Sequence, residues 1–209
     1  MTAVLGTPTA VTPEASIRWC PVPPPYGPRE QSEAGRQAAA AALAAAGSAV
    51  RAVPRATGGR PDFPRGYPGS IAHTDRMAVA AVVPGAAGVG VDIEDAAVTE
   101  RMARFVLNDR ERRTLLAPAG RHSPVELFSA KEAAFKALAG TVVADGLLFW
   151  RIGLVRSDAG LVASFGGLSM PVWVCSEAGS SFALAVRRYG TEEPEGNGRS
   201  TADGGSGEQ

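Results

Sequence analysis

The sequence predicts an α+β protein made of two halves, each a helix packed on a small antiparallel sheet. Three observations predict this: an alanine-rich helical run early in the chain, a second helix that starts at a strong capping signal, and short apolar segments separated by Gly and Pro turns after each helix. The two halves repeat this order of elements, although no sequence repeat supports a duplication. A hydrophobic content of 45% is sufficient for a packed core.

The first half begins with an irregular segment and a helix. Residues Cys20–Pro28 contain five prolines, which exclude a helix or a central strand. Glu30–Ala46 has high helix propensity and stops at Gly47. Thirteen Gly/Pro-rich residues at Thr57–Gly69 predict a functional loop, because structureless loops of that length are uncommon in compact domains. Short strands are predicted at Ala49–Val53, Ser70–His73, Met77–Val83 and Gly88–Glu94. The last three would form one sheet packed by the first helix.

The second half opens with helices. Two short charged helices, at Thr99–Val106 and Asn108–Leu116, each begin at a capping residue. A third helix has Ser123 as its N-cap and runs to Leu138, before a stop at Gly140. Four strands follow, at Leu147–Val155, Leu161–Ser164, Pro171–Cys175 and Phe182–Arg187. We divide the chain into an irregular segment at 1–28, halves at 29–98 and 99–190, and a polar tail at 191–209 that we expect to be disordered.

Composition narrows the class of protein. The formal net charge is zero, so no global field draws the chain toward nucleic acid or an anionic membrane. Cys20 and Cys175 lie far apart and lack metal-ligand spacing, which indicates free thiols in a reducing compartment. The first residues show no signal peptide, and the longest apolar run is too short to span a bilayer. We expect a cytoplasmic monomer.

Only two of the 21 basic residues are lysines, and both flank Glu132 in the segment Phe-Ser-Ala-Lys-Glu-Ala-Ala-Phe-Lys. Lysine is a compact, flexible point charge that suits phosphate binding and proton transfer. Lys131, Glu132 and Lys136 are therefore a candidate site for phosphate chemistry. The alternative is a solvated helix face, on which Glu132 and Lys136 form an ordinary i,i+4 ion pair.

A second candidate lies in the segment Gly-Val-Gly-Val-Asp-Ile-Glu, residues 88–94. In a strand, Asp92 and Glu94 point to one face, about 7 Å apart, while Val91 and Ile93 point into the core. Two carboxylates at a strand end, with Glu132 as a third, would suit a hard cation such as magnesium. The alternative is an edge strand whose acidic residues face solvent.

The loop and strand at Gly59–His73 form a third candidate. Arg60, Ser70 and His73 could each donate a hydrogen bond to a phosphate group, and the guanidinium could donate two. A lone histidine is more often structural, and we assign the other one, His122, to a helix start. The neighbouring Arg and Ser favour anion binding at His73.

Three motifs, taken together, resemble those of one family. The chain carries in this order Gly-Arg-Pro-x-Phe-Pro-x-Gly-x-x-Gly-Ser-Ile-x-His, Gly-Val-Asp-Ile-Glu and Phe-Ser-Ala-Lys-Glu-x-x-Phe-Lys. The set resembles the 4′-phosphopantetheinyl transferases, and most closely the enterobactin-synthetase branch of the surfactin (Sfp) type, over residues 29–189. Ala72 departs from the family, which commonly has there a Ser or Thr that helps bind a 3′-phosphate; Ser70 or backbone amides would have to compensate. Phe128 replaces the Trp of many surfactin-type members, as in the enterobactin branch.

The resemblance implies a pseudo-twofold pair of α+β halves with coenzyme A between them. It implies transfer of the 4′-phosphopantetheine arm to a carrier-protein serine, with release of adenosine 3′,5′-bisphosphate. Matching positions imply magnesium ligands at Asp92, Glu94 and Glu132. They imply coenzyme A contacts at Arg36, Arg60, Ser70, His73, Asp92, Lys131 and Lys136. Glu132 would also be the general base, directly or through a water, while Lys136 would hold the transferred phosphate and Lys131 would assist the leaving group or the proton transfer.

The implied partners are coenzyme A and apo carrier domains of peptide, polyketide or siderophore synthases. Carrier helices are generally acidic, so we expect a basic docking surface. The candidates are Arg101, Arg104, Arg110, Arg112 and Arg113. A solvated amphipathic helix is the alternative for that surface. Two other functions stay open: a non-catalytic module that binds coenzyme A or a carrier, and a magnesium-dependent hydrolase of nucleotide pyrophosphates.

Overall fold

The computed structural model describes residues 14–141, 149–158, 160–177 and 179–190. Its elements are strand β1 (Ser16–Pro21), helix α1 (Pro28–Ala45), strands β2 (Gly69–His73), β3 (Met77–Val82) and β4 (Gly88–Glu94), helices α2 (Glu100–Val106), α3 (Asp109–Thr114) and α4 (Pro124–Leu138), a 3-10 turn (Phe149–Arg151), and strands β5 (Gly153–Ser157), β6 (Gly160–Phe165), β7 (Leu168–Glu177) and β8 (Ser180–Arg187). None of the helices within these ranges is long and apolar enough to cross a membrane. The tail at 191–209, for which we expect disorder, lies outside the described residues.

The strands form two antiparallel sheets, in the orders β1-β3-β2 and β4-β8-β7-β6-β5. This confirms the α+β class with helices packed on two sheets. The expectation that β4 joins β2 and β3 is wrong, because β4 pairs with β8, with Glu94 opposite Ser181. The reason lies in the apolar face of β4, where Val91 and Ile93 pack in one buried cluster with Val79 of β3. That face covers the first sheet as a second layer instead of extending it.

Three boundaries differ from the sequence prediction. Cys20 and Pro21 end β1 and are not irregular; β1 is an edge strand, where a terminal proline removes no essential hydrogen bond. Ala49–Val53 is not a strand, and Val53 instead packs in the cluster beneath α1. In place of Leu147–Val155, the chain forms the 3-10 turn and then β5 from Gly153, while residues 147 and 148 lie outside the described ranges. The domain division at residue 98 and the pseudo-twofold relation stay predictions.

Helix α1 packs on the first sheet through small side chains. Its buried face consists of Ala34, Gly35, Ala38, Ala39, Ala42 and Leu43. At Gly35 an added Cβ would lie 2.8 Å from the Cγ2 atom of Ile71, so the helix axis approaches β2 more closely than a larger residue would allow. This contact sets the position of the strand that carries His73.

Helix α4 lies even closer to β4. A Cβ at Gly90 would be 1.8 Å from the carbonyl oxygen of Ala133, and a Cβ at Gly88 would be 2.1 Å from that of Ala137. Both glycines therefore let the helix backbone rest directly on the strand. Since side chains alternate along a strand, the face with the glycines also carries Asp92 and Glu94. The α4–β4 contact thus directs both carboxylates toward α4.

The N-terminus of α4 is fixed by a capping box. The hydroxyl of Ser123 accepts from the amide of Glu126, whose carboxylate accepts from the Ser123 amide at 2.8 Å and from the Ser176 hydroxyl at 3.0 Å. Contact with the His122 ring, at 3.6 Å, and these hydrogen bonds outweigh burial and lower the pKa of Glu126 to about 2. The cap connects α4 to β7 and was expected from the sequence.

Replacing Gly90 by alanine should lower the free energy of unfolding by about 3 kcal/mol, because the new methyl group would overlap a backbone oxygen and displace α4. Urea denaturation measures this change. Gly153→Ala is the matched control in the same sheet, since its nearest neighbour would be 3.4 Å away, and it should change stability by less than about 1 kcal/mol. Equal losses for the two variants would contradict the close α4–β4 contact.

Glu126→Gln should reduce stability at neutral pH by about 1 kcal/mol, because a neutral amide replaces a charged cap. The folded-state pKa of Glu126 lies below its ordinary value of 4.5, so its ionisation stabilises the fold above pH 4.5, and this contribution is lost as the pH falls toward 2. Urea titrations across that range should show the gap between wild type and variant closing. A gap that stays constant would show that the carboxylate charge contributes nothing.

Candidate functional site

The centre of the candidate site is an ion pair between β4 and α4. The ammonium of Lys136 donates to the Oδ1 atom of Asp92 at 2.7 Å and to the carbonyl oxygen of Val91 at 3.0 Å. Asp92 is 5% exposed, and its Oδ2 atom is buried without a hydrogen-bond partner. A buried carboxylate oxygen without a partner is unfavourable, so the site is suited to receive a further cation or donor.

Two more carboxylates lie beside this pair. Burial, then the charges of Asp92 and Asp95, raise the pKa of Glu94 to about 7, while Lys136 opposes the rise. Burial also raises the pKa of Glu132, with Lys136 opposing and Asp92 adding to the shift. The structure therefore brings Asp92, Glu94, Glu132 and Lys136 into one electrostatic group. Glu132 and Lys136, both in the described part of the chain, do not form the i,i+4 ion pair, because the Lys136 ammonium pairs with Asp92 instead.

The group fits a magnesium ion by its chemistry. Three carboxylates supply hard oxygen ligands, and the Oδ2 atom of Asp92 has no other partner. In the described part of the chain, no three side chains of His, Cys, Asp or Glu stand close enough together to ligate one ion at once. Ligation by all three carboxylates at once would require a side chain to adopt another rotamer, whereas magnesium commonly takes only one or two protein carboxylates with water and phosphate oxygens. The alternative interpretation holds in part: β4 is the edge strand of its sheet, but Asp92 is buried and does not face solvent.

A cationic hollow of about 160 Å³ lies between α1 and β2. Arg36 and His73 line it, as expected, together with Arg55, which was not foreseen. Both guanidinium groups donate to the Ser32 hydroxyl, Arg36 at 2.7 Å and Arg55 at 3.1 Å. Burial and the nearby charge of Lys136 lower the pKa of His73. The hollow is suited to an anion with several phosphate oxygens.

A second hollow, of about 310 Å³, adjoins the first. Arg60 and Lys136 line it, together with Gly88 of β4. Pro61 lines both hollows, which are therefore neighbours, and we call the two together the cleft. Arg60 thus lies apart from Arg36 but along the same cleft, and Lys136 stands where that cleft meets the carboxylates.

Ser70 does not reach this cleft. In β2 the side chains of Ile71 and His73 face the first hollow, so Ser70 and Ala72 face the opposite side. Both are buried at 6% exposure, and Ala72 belongs to the apolar cluster between the sheets. Ser70 lines neither hollow, so its phosphate contact stays a prediction without support from this geometry, and a hydroxyl at position 72 would point into the core. Arg55 and Ser32 supply the polar lining instead.

Lys131 does not join the site either. Its side chain is fully buried, and its ammonium lies 2.8 Å from the Oε2 atom of Glu111. The ammonium also donates to the carbonyl oxygens of Val106 at 2.9 Å and Trp150 at 3.2 Å. Burial lowers the pKa of Lys131, and Glu111 opposes the shift. The role predicted for Lys131 at the pyrophosphate is not supported, because the ammonium has no free donor and no path to the cleft.

Sequence reasoning missed Arg55 and Glu111. Arg55 precedes the Gly/Pro-rich loop and carries no motif, so nothing in the sequence distinguished it from other surface arginines. Glu111 did carry a signal, because it follows Asn108 by three residues, as in a capping box, which the structure shows to be formed. That signal predicts the cap but not the burial of its carboxylate.

Comparison with known proteins identifies related sequences at the level of a family. Residues 29–83 match the 4′-phosphopantetheinyl transferase N-terminal domain, and residues 88–187 match the 4′-phosphopantetheinyl transferase superfamily. Among solved structures, the chain is similar to the holo-[acyl-carrier-protein] synthase of Thermotoga maritima, with 25% identity and a TM-score of 0.40. The match covers 50% of this chain and 65% of the length of that synthase. No protein with a curated description matches.

Ala72→Ser should destabilise the protein by about 1–3 kcal/mol, because it buries a hydroxyl in an apolar cluster. Thermal or urea unfolding measures the loss. Ala52→Ser is the matched control at an exposed position and should be neutral. An unchanged stability for Ala72→Ser, combined with tighter binding of an adenosine phosphate, would show that position 72 faces the cleft after all.

Proposed function

The chain belongs to the 4′-phosphopantetheinyl transferase superfamily, and from this we propose that it transfers the 4′-phosphopantetheine arm of coenzyme A to a serine of an apo carrier protein. The observation that carries the proposal is the Asp92–Lys136 pair, with Glu94 and Glu132 beside it, because Lys136 also lines the second hollow of the cationic cleft. A cleft that only binds a nucleotide needs cations, but it does not need three carboxylates beside the phosphate position. A reaction at a phosphorus atom accounts for both the cations and the carboxylates.

The cleft offers separate places for the two charged parts of coenzyme A. Arg36 and Arg55 face the first hollow and would hold the 3′-phosphate, because both guanidinium groups already converge on Ser32. Lys136 and Arg60 face the second hollow and would hold the pyrophosphate. His73, which lines the first hollow, has a lowered pKa and would contact phosphate as a neutral ring donor.

Glu132 is the proposed general base. Its raised pKa makes it a stronger proton acceptor than an exposed glutamate. The carrier serine oxygen attacks the β-phosphorus and its proton passes to the Glu132 carboxylate. A new P–O bond forms while the bond from the β-phosphorus to the bridging oxygen breaks, and adenosine 3′,5′-bisphosphate leaves. Lys136 orients the transferred phosphoryl group, so positioning and charge stabilisation provide most of the catalysis.

Asp92, Glu94 and Glu132 would hold magnesium, which when bound neutralises negative charge on the pyrophosphate oxygens. The buried Oδ2 atom of Asp92 supports this assignment. It follows that Asp92→Asn should weaken the binding of a divalent ion as well as the transfer reaction.

The carrier would dock on α2 and α3. Met102 and Phe105 are exposed large apolar side chains on α2, at 44% and 67% exposure, and they follow β4 by only a few residues. In the described part of the chain, Arg101, Arg110 and Arg113 have no acidic partner, whereas Arg104 pairs with Glu100 and Arg112 with Asp109. Apolar residues surrounded by unpaired arginines suit an acidic amphipathic helix. Phe128 supports the enterobactin-type branch, and with it carriers of peptide or siderophore synthases.

Transfer is tested by incubating the protein with coenzyme A, magnesium and several apo carriers, followed by mass measurement of each carrier. We expect a gain of one phosphopantetheine group. Glu132→Gln should reduce kcat by about 10²- to 10⁴-fold, because it removes the base. Glu33→Gln, on the exposed face of α1, is the control and should be fully active. Release of free phosphopantetheine without carrier modification would indicate a hydrolase, and coenzyme A binding with neither product a binding module.

Docking is tested by steady-state kinetics with the carrier as the varied substrate. Phe105→Ala and Arg101→Glu should each raise the KM for the carrier by about tenfold and leave the KM for coenzyme A unchanged, because they alter only the proposed docking surface. Arg156→Glu, on exposed β5, is the control. The reverse pattern, with an effect on coenzyme A alone, would place the carrier elsewhere.

A further inference from the structure

A fully buried ion pair lies outside the cleft, between α3 and α4. The side chains of Lys131 and Glu111 are 0% and 1% exposed, and their charged atoms are 2.8 Å apart. Glu111 is the one buried residue of α3, a helix otherwise made of exposed or half-exposed polar residues. The catalytic steps proposed above use neither group, so the pair needs a separate explanation.

Every polar atom of the pair is engaged. The three ammonium hydrogens of Lys131 are directed to Glu111, to the carbonyl oxygen of Val106 and to that of Trp150. The Oε2 atom of Glu111 also accepts from the Asn108 amide at 2.8 Å, and its Oε1 atom accepts from the Leu154 amide at 2.8 Å. The pair therefore connects five segments: α4, the end of α2, the start of α3, the 3-10 turn and β5.

Stability alone does not explain this arrangement. An apolar pair of similar volume often stabilises a core as well as a buried ion pair does, because burying two charges carries a large desolvation penalty. The ion pair provides fixed geometry, since each of its hydrogen bonds sets the distance between two backbone segments. Val106 ends α2 and Trp150 lies in the 3-10 turn, and both are held to α4 through one ammonium group.

The connected segments include both the helix that carries the proposed base and the helix on which the carrier would dock. Lys131 directly precedes Glu132, so fixing the Lys131 side chain fixes the rotation of α4 at the base. On the other side, Val106 follows Phe105, whose ring packs on Trp150 with centroids 5.0 Å apart. The Lys131 ammonium thus binds the backbone of Val106, which follows Phe105, and of Trp150, whose ring packs on Phe105. Lys131 itself belongs to α4, the helix that carries Glu132.

We propose that Glu111 and Lys131 are positioning residues that hold Glu132 at a fixed distance from the carrier serine docked on α2. This inference rests on the proposed function. Loss of the pair should lower kcat and leave the affinity for coenzyme A unchanged, because no atom of the pair lines the cleft. A misplacement of about 1 Å at the reacting groups is enough to reduce the rate by up to about 10²-fold.

The test uses the double variant Glu111→Gln, Lys131→Met, which removes both charges and keeps an amide oxygen for the Leu154 or Asn108 amide. We expect kcat to fall about ten- to hundredfold, with an unchanged KM for coenzyme A and an unchanged dissociation constant measured by calorimetry. The matched control replaces an exposed ion pair, Glu14→Gln with Arg188→Met, and should retain full kcat. Glu111→Asp, a milder change that keeps the charge, provides the same comparison if the double variant does not fold, with a loss of about threefold.

Hydrogen–deuterium exchange gives a readout that does not depend on turnover. In the double variant, amides at 100–106 and 128–136 should exchange faster than in wild type, while those of β7 and β8 should not change. If wild type modifies no carrier, the proposed function fails, and exchange alone decides whether the pair connects α2 to α4. A double variant with wild-type kcat, or with unchanged exchange at both helices, would overturn the positioning role.

Discussion

The contact of α4 with β4 is the constraint on which the rest of the structure depends. Two glycines allow the helix backbone to rest on the strand, and no other residue fits at Gly90 without displacing α4. The contact determines where Lys136 can reach and which face of β4 is shielded from solvent. Asp92 becomes a buried carboxylate with one oxygen on an ammonium and the other without a partner. The close packing of α4 on β4 and the environment of Asp92 therefore both follow from the glycines at positions 88 and 90.

The two lysines of the chain, which the sequence places in one candidate site, lie in different environments in the structure. Their confinement to one helix predicts a position of special chemistry, and Lys136 lines the second hollow of the cleft. Lys131 lies five residues earlier on the same helix and its side chain points into the core. Sequence spacing alone does not separate these outcomes, because the deciding partner, Glu111, is supplied by another helix. Desolvation of a lysine is tolerated only where such a partner exists.

Helix caps and the alternation of side chains along a strand were predicted correctly, because both depend on residues close together in the sequence. Thr99, Asn108 and Ser123 cap their helices as the sequence predicts, and the strand alternation at 88–94 places the valines and the carboxylates on the expected faces. Sheet membership was not predictable in the same way, because the pairing of β4 with β8 joins residues about ninety positions apart. The same limit applies to Ser70: its motif is local, but the packing of α1 decides which face of β2 borders the cleft.

The apolar face of β4 has a consequence for how the molecule unfolds. One buried cluster contains Ile17, Ala72, Val79 and Ala81 from the first sheet and Val89, Val91, Ile93, Phe182 and Leu184 from the second. Although the two matched family segments meet between residues 83 and 88, a cut at that junction would leave both pieces with half of a shared core exposed to water. The halves are thus cooperative partners rather than independent units, and the molecule should melt in a single transition.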